Sequence, residues 1–241
     1  MKYRILPVGD SALTIVFGSS IDPEISRIVR IARRYLTNKK IRGVSEYVQT
    51  YATLMVHYRP VEIGYDELAA RIDAELLQMD TGSGHLKKKT IIIPVCYGGD
   101  YGPDLQTVCT HAGLTREEVI RRHSSKDYLI YMLGFMPGFV YLGGMDPSIS
   151  TPRLKNPRQR IEKGSVGIAA DQTGIYPLVS PGGWQIIGRT PLNLYDHERK
   201  KPILYEAGEF IRFVPVTEEQ FSSILEQVEN GTYIYEWIRE G

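Results

Sequence analysis

No stretch of this 241-residue chain comes near the ~20 consecutive apolar residues that a membrane-spanning helix requires. No membrane association is therefore expected. Cysteine is scarce: Cys96 and Cys109 are the only two, too few for a disulfide framework, and free buried thiols are the expected state. Excess charge is lacking too. Twenty-nine Lys and Arg against 28 Asp and Glu leave a net charge of +1, which gives no field to recruit nucleic acid. The five histidines (His57, His85, His111, His123 and His197) have no H-x-x-x-H or C-x-x-C partners, so no protein metal site is expected. There is no G-x-x-x-x-G-K-[ST] phosphate loop, and Ser165 in Gly164-Ser165-Val166-Gly167 does not sit in a nucleophile elbow. The opening residues Met1-Lys2-Tyr3-Arg4-Ile5-Leu6-Pro7 lack the apolar region of a signal peptide, which makes the cytoplasm the expected compartment.

What is present is the composition of a globular protein, 42% hydrophobic and 24% charged, long enough for one large domain or two small ones. The first eighty residues read as strand, strand, helix, strand, strand, helix. Tyr3–Pro7 and Ala12–Phe17 are separated by the turn residues Gly9-Asp10-Ser11. Asp22 is suited to cap a helix with Pro23 in its first position, and Ile25, Ile28, Val29, Ala32 and Leu36 mark its apolar stripe. Strands at Val44–Thr50 and Thr53–Tyr58 precede a second amphipathic helix carrying Leu68, Ala69, Ile72, Leu76 and Met79. This order predicts a small α+β sandwich over residues 1–79. Residues 80–88, rich in glycine and polar side chains, have linker composition. Residues 89–241 open with a β-branched strand at Thr90–Tyr97 and two short helices, near Pro103–Cys109 and Arg116–His123. Short strands joined by Gly/Pro turns then run from Tyr128 to Val214, the pattern of a barrel or sandwich. Thr115 with Glu118, and Thr217 with Gln220, have the spacing of capping boxes. The aromatic tail Tyr233–Trp237 could add an edge strand.

Between Leu133 and Leu194, two glycine-aromatic segments flank a basic stretch. The first is Gly134-Phe135-Met136-Pro137-Gly138-Phe139-Val140-Tyr141-Leu142. The second is Pro181-Gly182-Gly183-Trp184-Gln185-Ile186-Ile187-Gly188-Arg189-Thr190. Glycine permits close backbone approach and proline fixes φ, so these segments are built to hold a surface in shape. The intervening Arg153–Lys163 carries five cations against one carboxylate, suited either to an anionic ligand or to solvent. Arg189, inside an apolar strand, calls for a fixed partner. The aromatic residues Phe135, Phe139, Tyr141, Tyr176 and Trp184 fit barrel core as well as pocket wall. No complete catalytic set is visible.

These segments, together with Pro157-Arg158, Gly164-Ser165-Val166-Gly167-Ile168-Ala169 and Tyr176-Pro177, resemble the allophanate hydrolase subunit 1 family, to which the B subunits of 5-oxoprolinases belong. The resemblance extends back to Tyr3-Arg4-Ile5 and Gly9-Asp10-Ser11-Ala12-Leu13. It implies an N-terminal ferredoxin-like domain and a C-terminal cyclophilin-like β-barrel. It also implies work with partner C and A subunits in an ATP-dependent hydrolysis of 5-oxoproline, with the single chain inactive by itself. A second function known in the family, inhibition of a sporulation sensor histidine kinase, is the alternative. Arg158, Arg189, Gly138, Gly183, Tyr141 and Trp184 are the expected substrate- or anion-binding residues, and Phe135, Pro137, Phe139 and Tyr176 the expected groove or interface residues. One departure stands out: many family members have Pro-Ala-Gly where this chain has Glu162-Lys163-Gly164.

Overall fold

The computed structural model describes residues 2–80, 82, 88–134 and 136–239. Most of the expected linker, Thr81 and Ser83 to Lys87, lies outside the described residues, as does Phe135. The chain divides into two compact units, Met1–Leu86 and Lys87–Gly241.

The first unit runs β1 (Arg4–Val8), β2 (Ala12–Val16), α1 (Pro23–Lys39), β3 (Val44–Gln49), β4 (Thr53–Tyr58), α2 (Tyr65–Leu77). Its strands form an antiparallel sheet in the order β1-β2-β4-β3. Helix α1 starts where the sequence predicts. The Asp22 carboxylate accepts the backbone N–H groups of Glu24 (2.7 Å) and Ile25 (3.1 Å), and Lys40 ends the helix in a left-handed conformation with φ 46°. Val29, Ala32 and Leu36 from α1, with Leu68, Ile72 and Leu76 from α2, are buried against Leu13, Ile15, Leu54 and Val56 of the two central strands. The helical spacing of three and four meets the strand spacing of two across this core.

The second unit begins with β5 (Lys89–Tyr97), α3 (Leu105–Ala112) and α4 (Arg116–Ser124). There follow β6 (Asp127–Leu133), β7 (Val140–Gly143), a 3-10 turn at Pro147–Ile149, β8 (Arg158–Ile161), β9 (Ser165–Ala169), β10 (Gln172–Ile175), β11 (Ser180–Gly182) and β12 (Gln185–Arg189). It closes with β13 (Phe210–Pro215), α5 (Glu218–Glu229) and β14 (Trp237–Arg239). Seven of these strands close a barrel in the order β12-β9-β10-β7-β6-β13-β5, with β5 returning to pair with β12. The long strand β5 makes closure possible by sharing one edge between two partners. Its start pairs with β14, and its end, Cys96 and Tyr97, pairs with Arg189 and Gly188. The edge strand expected at Tyr233–Trp237 shares only Trp237 with the strand that forms, which lies at Trp237–Arg239. Strands β8 and β11, with β9 and β10 between them in sequence, form a separate two-stranded ladder.

Alternate residues fill the barrel: Ile91, Ile93, Val95 and Tyr97 from β5, Val166 and Ile168 from β9, Ile211 and Phe213 from β13. Leu105, Val108, Cys109 and Val119 bring α3 and α4 into the same core. Thus the architecture is α+β, a small helix-backed sheet and a closed barrel. One sequence expectation holds only in part. Thr115 accepts from the Glu118 N–H at 3.2 Å, but the Glu118 carboxylate turns to Arg121 and Arg122 instead of completing a capping box. At Thr217 and Gln220 both halves of the box form.

Candidate functional site

The two glycine-aromatic segments meet in space. Phe139, Tyr176 and Trp184, from three different parts of the chain, pack edge to face. Phe139 lies 5.5 Å from each of the other two rings, at 85° to Tyr176 and 87° to Trp184. All three are almost fully buried, among Ile161, Ala169 and Ile186, with Tyr141 and Met136 half-buried beside them. These rings form a second core in the barrel unit. Tyr141 keeps an accessible face, and Pro137 is exposed. Burial pushes the Tyr176 phenol above its usual value. Arg153 stands over the Trp184 ring, 5.9 Å from its centroid.

The glycines of these segments serve that packing. Gly138 has φ 83°, and a side chain there would meet Pro177 and Tyr195 at 3.2 Å. The Gly138 carbonyl accepts a hydrogen bond from the buried Tyr205 hydroxyl at 2.8 Å. At Gly182 an added Cβ would fall 2.4 Å from the Tyr176 hydroxyl, whereas at Gly183 the nearest atom is Pro157 Cγ at 3.5 Å. At Gly138 and Gly182 the backbone closely approaches side chains of the chain itself, while Gly183 has room around it.

Arg158 donates two hydrogen bonds to Asp104, at 2.8 and 2.7 Å. The buried Asp104 carboxylate also accepts the Ile186 N–H at 2.6 Å, while its own N–H donates to the Ile186 carbonyl at 2.9 Å. The carboxylate beside it raises the Arg158 guanidinium above its ordinary value. Both arms of the Arg158 fork are thus engaged by a carboxylate of the chain itself.

Arg189 differs. It is the last residue of β12, placed just past a bulge between Ile186 and Gly188. Its guanidinium carbon lies 5.3 Å from the Tyr101 ring centroid and 5.6 Å from that of Phe221, and those rings are 4.6 Å apart. The fixed partner it requires is a pair of aromatic faces. Cys96 lies buried nearby, its thiol pushed up by burial first and then by the Glu218 charge, with Arg116 and Arg189 opposing. A thiol held protonated is a poor nucleophile.

Sequence reasoning missed the loop that joins these features. Tyr97-Gly98-Gly99-Asp100-Tyr101-Gly102-Pro103-Asp104 leads from β5 into α3 and carries both Tyr101, against Arg189, and Asp104, against Arg158. Gly102 is required there, because an added Cβ would fall 2.0 Å from the Ile187 carbonyl oxygen. The signal was the density of glycine and proline between a strand and a helix. Also unforeseen is a buried polar chain inside the barrel. Thr173 donates to the Gly167 carbonyl at 3.1 Å, so it accepts from His123 Nε2–H at 2.8 Å. His123 Nδ1 then accepts from the Tyr97 hydroxyl at 2.8 Å. Burial drives His123 down to about 3, keeping it neutral.

The chain thus joins a closed barrel, carrying an ion-paired arginine and an aromatic-backed one, to a separate helix-backed sheet. The chain belongs to the family described as carboxyltransferase domain, subdomain C and D, whose model matches residues 3–205. It is 39% identical over 237 residues to a protein of Bacillus subtilis (strain 168) named as the B subunit of 5-oxoprolinase, covering 94% of this chain and 98% of that one. It is 50% identical over 132 residues to a protein of the same name from Escherichia coli O157:H7, covering 55% of this chain and 61% of that one. The solved structure of TTHA0988 matches with a TM-score of 0.75 and 31% identity, over 85% of this chain; the chain spans 40% of TTHA0988.

Proposed function

We propose that this chain is the B subunit of an ATP-dependent 5-oxoprolinase, working with the C and A subunits to hydrolyse 5-oxo-L-proline to L-glutamate. The observation that carries the reading is the nearly full-length match to a relative of that name. The barrel and the ββαββα sheet support it as the cyclophilin-like and ferredoxin-like parts that the family resemblance implies.

Opening a lactam needs activation of its carbonyl, and ATP as co-substrate supplies that in the assembled enzyme. In this reading the chain's contribution is positioning. Its residues divide that task. The Asp104–Arg158 pair ties β8 to the start of α3 and to β12. Phe139, Tyr176 and Trp184 hold the wall rigid, with Tyr141 and Pro137 as its accessible edge. Gly183, next to Trp184, brings the backbone to the surface. Arg189 presents a guanidinium held in place by Tyr101 and Phe221.

The test is ATP-dependent release of glutamate from 5-oxoproline by the purified chain alone and after assembly with the C and A subunits. Activity is expected only in the assembly. Turnover by the rigorously purified single chain, or none in a correctly assembled complex, overturns the reading.

A further inference from the structure

We propose that Arg189, held by Tyr101 and Phe221, is the seat for the carboxylate of a small cyclic substrate, the accessible part of the Tyr101 ring taking its apolar body. This rests on the 5-oxoprolinase reading and names the part of the substrate read at the barrel rim.

Three observations lead to it. First, among the described residues the Arg189 guanidinium has no hydrogen-bond acceptor or ion-pair partner; its neighbours are the rings of Tyr101 and Phe221. Cation–π contact uses the face of the guanidinium and leaves its N–H edges for a planar anion. Second, the nearby acid that feels its charge, Glu162, is already held by Arg160 through hydrogen bonds of 2.6 and 3.4 Å. Arg189 therefore remains available to an outside acceptor. Third, the position is built. Phe221 is 3% exposed, and Tyr101 sits on a loop closed by hydrogen bonds from the Tyr101 and Gly102 N–H groups to the Gly98 carbonyl. Gly98 in turn donates to the Ile187 carbonyl, two residues before Arg189.

The surroundings select a monoanion. Arg189 is the guanidinium with an open fork here, since nearby Arg116 is tied to the Tyr97 carbonyl at 2.6 Å, and the carboxylates of Glu162 and Glu218 lie near Arg189 and near Cys96 respectively. A dianionic phosphate would keep an uncompensated charge beside them, whereas a carboxylate matches the fork in both charge and shape. The half-exposed Tyr101 ring offers the apolar surface that a small saturated ring needs.

The experiment compares 5-oxoproline with 5-oxoprolinamide, which lacks the charge, in the assembled enzyme carrying wild-type, Arg189→Gln or Arg189→Lys chains. The wild type should prefer the acid over the amide. Arg189→Gln should raise KM for the acid ~10-fold or more with kcat nearly kept, and should lose that preference. Arg189→Lys should fall between them, since it keeps the charge without the fork, and it serves if the Gln variant fails to assemble. Unchanged KM for the acid in an assembled variant overturns the seat while leaving the 5-oxoprolinase reading intact. If the wild-type assembly does not hydrolyse 5-oxoproline, that reading fails, and calorimetric titration of the chain with 5-oxoproline and inorganic phosphate decides the seat. Binding of the acid that Arg189→Gln abolishes supports it. No binding, equal binding by the variant, or phosphate binding as tightly as the acid overturns it.

Discussion

Asp104 begins helix α3 but gives its carboxylate to Arg158. The side chain makes no capping bond to the helix and instead receives both arms of the Arg158 fork and the Ile186 N–H. One buried carboxylate thus joins a strand of the separate two-stranded ladder, the barrel wall and the loop that carries Tyr101. The cap it forgoes is worth ~1 kcal/mol, less than a bidentate charged pair with an additional amide donor can contribute.

Asp104→Asn should destabilise the barrel unit by ~1–3 kcal/mol. The upper part of the range for breaking a buried pair is discounted because the Arg158 side chain is 33% exposed. Arg158→Lys should cost less, ~1 kcal/mol, since the charge remains and the fork is lost. Urea unfolding at neutral pH checks both. Equal stability of wild type and Asp104→Asn would show that the pair contributes nothing net.

His123 makes stability depend on pH. Its folded value, about 3, lies below the ordinary 6.5, so the unfolded chain binds the extra proton between those values. The contribution of neutral His123 is fully present above about pH 6.5 and is lost as pH falls, by up to ~1.4 kcal/mol per unit. From pH 6.5 to 5.0, before carboxylates titrate appreciably, this slope should be visible in urea midpoints. It should vanish in His123→Gln, a variant expected to be less stable at pH 7. An unchanged slope in that variant would place the titration elsewhere.

Adjacent glycines should behave differently. Gly182→Ala forces its Cβ onto the Tyr176 hydroxyl at 2.4 Å and should cost ~1–3 kcal/mol, seen as a lower Tm. Gly183→Ala meets ordinary contact distances and should lie within ~0.5 kcal/mol of the wild type. Equal losses would mean that the turn itself, not the contact with Tyr176, requires glycine.

Limited proteolysis should cut first within residues 80–89, where the sequence offers two glycines and few apolar anchors. Fragments of residues 1–79 and 89–241 should remain folded by circular dichroism. First cleavage between Leu133 and Leu194 would count against that boundary.

Local rules made much of the fold legible. The Asp22 cap, Pro23 at the first turn of α1, the four-residue spacing of Leu68, Ile72 and Leu76, and the β-branched run of β5 are properties of a few neighbouring residues, and each took the form the sequence predicts. The glycine-aromatic segments were legible as shaping elements, because clustered glycine and proline restrict the backbone whatever lies opposite. Their family resemblance followed from the same residues.

What each side chain faces was decided by closure of the barrel. The sequence sets Arg158 in a basic stretch and Arg189 in an apolar strand, but names a partner for neither. Only the tertiary structure brings Asp104, 54 positions away from Arg158, to occupy one fork, and sets Tyr101 and Phe221 around the other. His123, a helical residue without a motif, becomes the centre of a buried polar chain because α4 packs where Tyr97 and Thr173 point inward. Caps and periodicities depend on energies between neighbours in the chain, so the sequence alone determined them. Ion pairs and buried polar contacts depend on which distant segments share a low-dielectric space, and folding the chain into a closed barrel is what creates that space.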